Sequence, residues 1–384
     1  MKKYTPIILM IILFSTTINA QNNFKNQWLE VEKFEVDDLP KSALKIVENI
    51  YKKADRENNF PQLIKTLFYK SKFILTLEEN AQLKVINNFK KHISKSTFPT
   101  KNVLENILAN LYWQYFNQNR YKFYNRTKTS NKVDATDFRT WDLETIFKEI
   151  HTYFNASLEN SEKLQQIEIK EFSDILQLNK DSKIYRPTLF DFLTNNALQF
   201  YKSSETTITR PSYKFSIDNP IFLSDAKLFS KVKITSKDSL SLQLNALKVY
   251  QKLIVFHTKE NNKNALVEID IRRLNFVYQQ ATISNKKKLL QTTLQSSIKQ
   301  FKNHESSGLY AFESAKIYRD NSNNKEAIKI CDEIIKQFPK SLGEKKCSIL
   351  KKQITQKTLS ITAEGYIPID KNSRLLVSYK NVEK

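Results

Sequence analysis

The sequence predicts an all-α fold, in which antiparallel helical hairpins stack into a solenoid and a short β segment follows near the C-terminus. Three observations support this prediction. Apolar residues recur at helical spacing through most of the chain, the breaks between these stripes are short, and the apolar period changes to two near the end. The chain of 384 residues contains only three glycines. This scarcity disfavours all-β folds and phosphate-binding loops, because tight turns and such loops depend on glycine.

The N-terminus has the three parts of a secretory signal: Lys2 and Lys3, an apolar run over 6–14, and a polar stretch that ends at Ala20. The apolar run is about nine residues long, whereas a membrane-spanning helix needs roughly 20. We therefore expect a signal peptide at 1–20, cleaved after Ala20, with an uncleaved anchor as the alternative. No cysteine near this junction offers a lipid attachment site. The mature chain is expected to be soluble in the periplasm or cell envelope, without stable membrane insertion.

A helical repeat region is predicted over 21–356, because its apolar residues return to one side of a helix turn after turn. Each stripe needs a second helix to cover it, and short breaks such as Asn58-Asn59-Phe60-Pro61 indicate antiparallel pairs. Two polar stretches, 125–140 and 203–219, lack this spacing and are expected to be loops.

A tetratricopeptide-like unit is predicted near 308–341, where the spacing fits the roughly 34-residue repeat. Small residues lie where two helices would approach closely, an aromatic residue would fill the space between them, and a proline would end the second helix. The residues that fit this frame are Ala315, Tyr318, Ala327, Cys331, Ile334 and Pro339. Stacked hairpins of this kind would form an α-solenoid.

The last segment, 357–384, changes to β-type alternation. Leu359, Ile361 and Ala363 alternate with polar residues, and a second alternating set follows Gly365. Two strands do not form a stable sheet by themselves. The segment is therefore expected to begin a β domain that is incomplete in this chain.

The formal net charge is +22 at pH 7, and the basic residues are spread along every segment among acidic ones. This pattern predicts a solvated basic surface, with an anionic partner as the alternative. Nucleic acid is not an expected partner of an exported chain.

Cys331 and Cys347 are the only cysteines. An oxidising compartment permits a disulfide between them, and the alternative is a pair of small, buried apolar side chains. Two thiols without a nearby histidine do not predict a metal site.

No catalytic, cofactor-binding or metal-binding residues are predicted. The four histidines are scattered and none begins a His-Glu-x-x-His motif. The acidic residues Asp134, Asp137, Asp142 and Glu144 fit no calcium loop, and a solvated loop that leads into a capped helix explains them. Carboxylates that only folding brings together are invisible in a sequence, so a glycan-cleaving enzyme is kept as a distant alternative.

One candidate interaction surface lies in 112–126, which interleaves aromatic and basic side chains. Aromatic residues and arginines are enriched at binding surfaces, and the candidates are Trp113, Arg120, Tyr121 and Arg126. The alternative is a purely structural role, because a helical core stripe already runs through the segment. That stripe consists of Leu108, Leu111, Tyr112, Tyr115 and Phe116.

Seven segments resemble the N-terminal helical region of alpha-2-macroglobulin-like proteins exported by Bacteroidetes-type bacteria. They are LPKSAL (39–44), LYWQYF (111–116), RYKFYNRT (120–127), RTWDL (139–143), RPTLFDFL (186–193), TSKDSLSL (235–242) and RLNFVYQ (273–279). In that family the helical part precedes a row of β-sandwich macroglobulin domains. The resemblance therefore implies that 357–384 is the start of the first sandwich.

The family's activity is protease inhibition by entrapment, through a bait segment and, in many members, an internal Cys-Gln thioester. No Cys-x-Glu-Gln sequence surrounds Cys331 or Cys347, so no thioester role is carried onto either cysteine. The resemblance implies a non-catalytic, protein-binding scaffold whose partners are the remaining macroglobulin domains and, through them, proteases. Cell-wall synthesis enzymes are a further implied partner. The alternative function is a stand-alone periplasmic tetratricopeptide-like scaffold that binds peptides or cell-wall components.

Overall fold

The computed structural model describes residues 24–79, 81–127, 134–179, 181–203, 205, 213–366, 369–370, 372 and 374–382. Of the residues that the structure describes, 68% are helical, in 17 α-helices and short 3₁₀ segments, and a small two-stranded antiparallel sheet lies near the C-terminus. This confirms the prediction of a mostly helical fold followed by a short β segment. The predicted signal peptide at 1–20 lies outside the described residues.

The chain divides into two compact units, Met1–Ser212 and Tyr213–Lys384, whereas the sequence interpretation treats 21–356 as one region. The helices of the first unit are α1 (24–36), α2 (Pro40–Arg56), α3 (Phe60–Leu77), α4 (Ala81–Lys95), α5 (Thr100–Gln118), α6 (Arg120–Tyr124), α7 (Leu143–Ser157), α8 (Ser161–Leu164), α9 (Ser182–Tyr185) and α10 (Leu189–Tyr201). Short 3₁₀ segments lie at Phe138–Thr140 and Ile169–Phe172.

Side-chain caps start several of these helices. The Asn59 side chain accepts a hydrogen bond from the backbone N–H of Gln62 at α3, and Asp142 does the same for Thr145 at α7. Such caps satisfy backbone donors that have no partner within the helix. Because both caps were visible as Asn or Asp before an apolar stripe, the sequence located these helix starts well.

Two groups of buried side chains hold the first unit together. Near the N-terminus α1, α2 and α3 enclose Trp28, Val47 and Phe73, among others. Further along, α5 packs against α7 and α10 through an aromatic core. Asn106 of α5 lies in this second contact, where its side-chain amide donates to the Ser157 hydroxyl (3.1 Å) and to the Leu193 carbonyl (3.1 Å). These bonds satisfy a polar group that would otherwise be costly to bury.

The second unit contains a 3₁₀ segment at Pro220–Leu223, then α11 (Ala226–Phe229), α12 (Leu242–Lys259), α13 (Lys263–Gln280), α14 (Lys286–Gln300), α15 (Ser307–Asp320), α16 (Asn324–Gln337) and α17 (Leu342–Thr355). Consecutive helices from α12 to α17 are in contact. Two strands follow, β1 (Thr358–Ala363) and β2 (Leu375–Lys380), paired antiparallel.

The two expected loops are described only in part, because 128–133, 204 and 206–212 lie outside the described residues. From 213 to 241 the chain contains only the 3₁₀ segment Pro220–Leu223 and the short helix α11, so it lacks a long helix well beyond the expected loop end at 219. A further irregular stretch that the sequence did not predict runs from 165 to 188, with only short helical turns. Scattered apolar residues such as Ile169 and Phe172 are buried there, and they imitate a helical stripe in the sequence.

Candidate functional site

The candidate interaction surface divides into buried and exposed members. Trp113 lies half-buried in the aromatic core of the first unit, with ring centroids 5.3 Å from Phe116, 5.8 Å from Phe147 and 5.2 Å from Phe200. Its ring therefore packs between α5, α7 and α10. Trp113 has a structural role in this geometry, which matches the alternative reading of the segment.

Arg126 also acts inside the fold. Its guanidinium donates to the Trp141 carbonyl at 2.6 Å and lies 4.8 Å from the centre of the Phe123 ring. Arg120 instead forms an ion pair with the buried carboxylate of Glu205, which also accepts from the Tyr124 hydroxyl. Both guanidinium groups are thus held by neighbouring parts of the chain.

Tyr121 is the member most accessible to a partner, with 81% of its surface exposed. The Arg120 side chain beside it is 48% exposed despite its ion pair. The surface that remains a prediction therefore consists of Tyr121 and Arg120, and Trp113 and Arg126 support it from within.

The acidic residues near 134–144 have local partners. The carboxylate of Asp134 accepts from the hydroxyl and the N–H of Thr136, and hydrogen bonds from this residue lower the pKa of Asp134. Asp137 pairs with Arg139 at 2.7 Å, and the hydrogen bond from that guanidinium lowers the pKa of Asp137. Among the residues that the structure describes, no group of three or more His, Cys, Asp or Glu side chains could hold a metal ion.

Cys331 and Cys347 lie side by side between α16 and α17, both buried and both as free thiols. Their side chains hydrogen-bond to one another, and this bond together with burial raises the pKa of Cys347. The contact brings together the two residues that the sequence proposed for a disulfide. The disulfide itself stays a prediction.

A buried ion pair in the second unit was missed by the sequence reasoning. Asp270 and Arg273 of α13 are both 0% exposed, and the guanidinium also donates to the carbonyls of Phe222 (2.6 Å) and Ser224 (2.7 Å). The Tyr310 hydroxyl of α15 donates to the same carboxylate at 2.7 Å. Burial, and then the charge of Asp270, raise the pKa of Tyr310 well above its usual range.

This network joins α13 and α15 to the segment around Pro220–Leu223, and its polar atoms bond to one another and to backbone carbonyls. Its signal in the sequence was weak but present: Asp270 and Arg273 are three residues apart on a helix, flanked by the apolar residues Ile269 and Leu274. A charged pair within an apolar stripe of this kind indicates a buried salt bridge.

Two other features could meet a partner. The β1–β2 hairpin has exposed side chains throughout. In addition, a groove of about 370 Å³ lies between α14, α15 and α16. Its lining includes apolar Ile298, Tyr318 and Ile330, with charged groups from Lys302 and Glu333.

Comparisons with protein-family models, with curated proteins and with solved structures found no match for this chain. Within the described part of the chain, no helix combines the length and the apolar character needed to cross a membrane.

Proposed function

We propose that this chain is the non-catalytic N-terminal helical scaffold of an exported alpha-2-macroglobulin-like protease inhibitor. It acts in the periplasm or cell envelope and binds other proteins, first of all the macroglobulin domains of the same inhibitor and through them proteases, with cell-wall synthesis enzymes as further candidate partners. Its hairpins stack as a tetratricopeptide-like solenoid, and the C-terminal hairpin begins the first sandwich domain.

The observation that carries this proposal is the uncovered apolar face of the hairpin. The cross-strand pairs Leu359–Tyr379, Ile361–Val377 and Ala363–Leu375 alternate with mostly polar pairs. Residues directly opposite one another in an antiparallel pair share a face of the sheet, so six apolar residues lie together. Ile361 is nevertheless 59% exposed and Tyr379 is 54% exposed.

Such a face favours a second sheet as its cover, since a hairpin gains independent stability from additional strands or from packing on another layer. The hairpin is also anchored to the helical part. Lys380 donates to the Gln353 carbonyl (2.9 Å) and Asn381 to the Ile354 carbonyl (2.7 Å), at the C-terminal end of α17. A sandwich built on this hairpin would therefore start directly from the last helix.

The polar network inside the second unit supports a scaffold rather than a reactive centre. Asp270, Arg273 and Tyr310 bond to one another and to backbone carbonyls, so their hydrogen-bonding capacity serves the packing of helices. Groups whose hydrogen bonds are made within the fold position helices, and these bonds leave them no capacity to bind a substrate.

The test uses the exported protein purified from its envelope in the form that the cell makes. Entrapment predicts that a bound protease loses activity toward large protein substrates and keeps activity toward short peptides. Ile361→Asp places a charge on the apolar face and should abolish this inhibition. Ser360→Asp, on the opposite face of the same strand, is the matched control and should retain it.

Two results would overturn the proposal. One is that a protease mixed with the native protein keeps equal activity toward large and small substrates at every ratio of protein to protease. The other is an equal response of inhibition to Ile361→Asp and Ser360→Asp, because the apolar face would then have no special role.

The groove between α14, α15 and α16 favours a second candidate function, a stand-alone periplasmic scaffold that binds peptides or cell-wall components. Grooves of this size, lined by both apolar and charged side chains, are typical of sites for small ligands and peptide segments. Ile330→Arg would fill the groove with a charged side chain. Ile349→Arg, at an exposed position of α17, is its control.

Pull-downs of envelope extract with the two variants separate the candidates. A peptide or cell-wall partner that Ile330→Arg loses and Ile349→Arg keeps would support the second function. Identical recovery by both variants and the unaltered chain would remove the groove from consideration.

A further inference from the structure

A second cavity of about 420 Å³ lies in the second unit, where the end of α12, the start of α13 and the end of α14 come together. Its lining includes Lys263, Lys299 and Lys302, the imidazoles of His257 and His304, and apolar Leu266. His257 is buried, Leu266 is half-buried and the three lysines are exposed. The cavity thus has a partly apolar floor and a rim of three ammonium groups.

None of the residues that line this cavity is acidic. In the chain around them, Glu260 ends α12, Glu268 pairs with Arg272 at 3.8 Å, and Glu305 follows the last lining residue. None of these three carboxylates lines the cavity. Three positive charges therefore share one concave site with no acidic residue in its wall. Lys299 and Lys302 also line the groove between α14, α15 and α16, whose wall includes Glu326 and Glu333.

The helix dipole explains only one of the lysines. Lys299 lies in the last turn of α14, where a cation is favoured. Lys263, by contrast, is the first residue of α13, and a positive charge at a helix N-terminus is unfavourable. Lys302 lies in the turn after α14.

Ion pairs do not explain the positions of the three lysines either. Among the ion pairs of the residues that the structure describes, none involves Lys263, Lys299 or Lys302. His304 has a fixed role at the edge, since its Nδ1 accepts from the N–H of Ser306 at 3.3 Å. An imidazole whose Nδ1 is an acceptor carries its ring hydrogen on Nε2, so it is a donor there.

We propose that this cavity binds a small multivalent oxyanion, whose phosphate or carboxylate groups are held by Lys263, Lys299 and Lys302. Lysines bind such groups as point charges, and a volume of about 420 Å³ lies within the range of sites for small ligands. The site is independent of the proposed inhibitor function, because none of its lining residues belongs to the hairpin. It gives the basic surface of this chain one defined anion site.

The test is calorimetric titration of the full chain with pyrophosphate and with citrate, at about 150 mM salt to suppress diffuse attraction. The two probes distinguish phosphate from carboxylate groups as the preferred source of the charge. The triple variant Lys263→Gln, Lys299→Gln, Lys302→Gln should weaken binding of the preferred probe at least about tenfold, the loss of one or more charge-assisted hydrogen bonds.

The matched control is Lys325→Gln, Lys336→Gln, Lys345→Gln, which removes the same charge from exposed positions of the same unit. It should bind within about twofold of the unaltered chain, a difference far below one charge-assisted bond. Equal weakening by both triple variants would mean that net charge alone attracts the anion, and the site would be rejected. The site would also be rejected if neither pyrophosphate nor citrate binds to the unaltered chain at millimolar concentration.

Discussion

Arg273 is a charged residue whose side chain is completely buried. Its guanidinium bonds to Asp270 of the same helix and to two backbone carbonyls, and it lies 4.5 Å from the centre of the Phe229 ring. A buried charge is tolerated when its hydrogen bonds are satisfied in this way. Removal of one partner leaves the other charge without compensation.

Arg273→Met should therefore lower the free energy of unfolding by about 3–5 kcal/mol, since it strands the Asp270 carboxylate in the interior. Urea denaturation followed by circular dichroism measures this loss. The control is Arg319→Met, which breaks an exposed pair with Asp320 and should change stability by no more than about 1 kcal/mol. Similar values for the two variants would contradict a buried role for Arg273.

Glu105 of α5 gives the first unit a pH dependence. Burial raises the pKa of Glu105 from 4.5 to about 7, although the nearby charge of Lys101 lowers it. Because the folded state binds this proton more tightly than the unfolded state, Glu105 contributes stability that is fully present below pH 4.5 and is lost as the pH rises through about 7. Glu105→Gln removes this effect.

The Gln variant should match the unaltered chain near the lower pH and exceed its stability by about 2 kcal/mol above the raised pKa. Denaturation midpoints on both sides of that range test this. Glu79→Gln, at an exposed position of the same unit, should show no such pH-dependent gain. A loss of stability by Glu105→Gln at high pH would contradict the assignment.

At the scale of elements, two of the three glycines lie where α15 and α17 cross. A methyl group at Gly308 would lie 2.9 Å from Ile334 Cγ2, and one at Gly343 would lie 2.8 Å from the Gly308 Cα. Backbone meets backbone at this point, so a side chain on either residue must push the helices apart. Gly365 has no atom within 4 Å of the equivalent position.

Gly343→Ala should accordingly destabilise the protein by about 1–3 kcal/mol through overpacking, despite the better helix propensity of alanine. Gly365→Ala is the natural control and should be close to neutral. Thermal unfolding of both variants measures the contrast. An increase in stability for Gly343→Ala would show that α15 and α17 do not approach as closely as described.

The contact between α16 and α17 makes a prediction about the thiols. Because Cys331 and Cys347 are both buried, an alkylating reagent has no access to them, and neither should react quickly in the folded, reduced protein. Both should react at once in denaturant. Mass spectrometry after alkylation counts the labels, and rapid labelling of the folded protein would contradict burial.

The same experiment without a reducing agent shows whether Cys331 and Cys347 form a disulfide in the cell envelope. Protein collected from the cell envelope would take up no label in denaturant if the neighbouring thiols have formed a disulfide. Uptake of two labels would leave the pair as small buried side chains.

At the scale of the whole molecule, the protein should give a far-ultraviolet circular dichroism spectrum dominated by helix, because 68% of the described residues are helical. The hairpin of β1 and β2 contributes only two six-residue strands. A spectrum dominated by β-structure would contradict both the sequence interpretation and the fold.

The division into two units belongs to this scale and was not visible in the sequence. Both units use similar helices, and the boundary falls within the predicted loop at 203–219. A loop between helices and a loop between compact units have the same polar composition. Only the pattern of long-range contacts distinguishes them.

The sequence by itself determined the helical class, many helix starts and the two alternating strands, because these depend on local spacing and on caps within a few residues. Tertiary structure decided the rest: that the half-buried Trp113 packs against the aromatic core, that Arg273 is buried and that Gly308 lies against Gly343. It also brought Lys263 together with Lys299 and Lys302 around one cavity. Such features arise between residues far apart in the chain, and periodicity carries no information about which faces will meet.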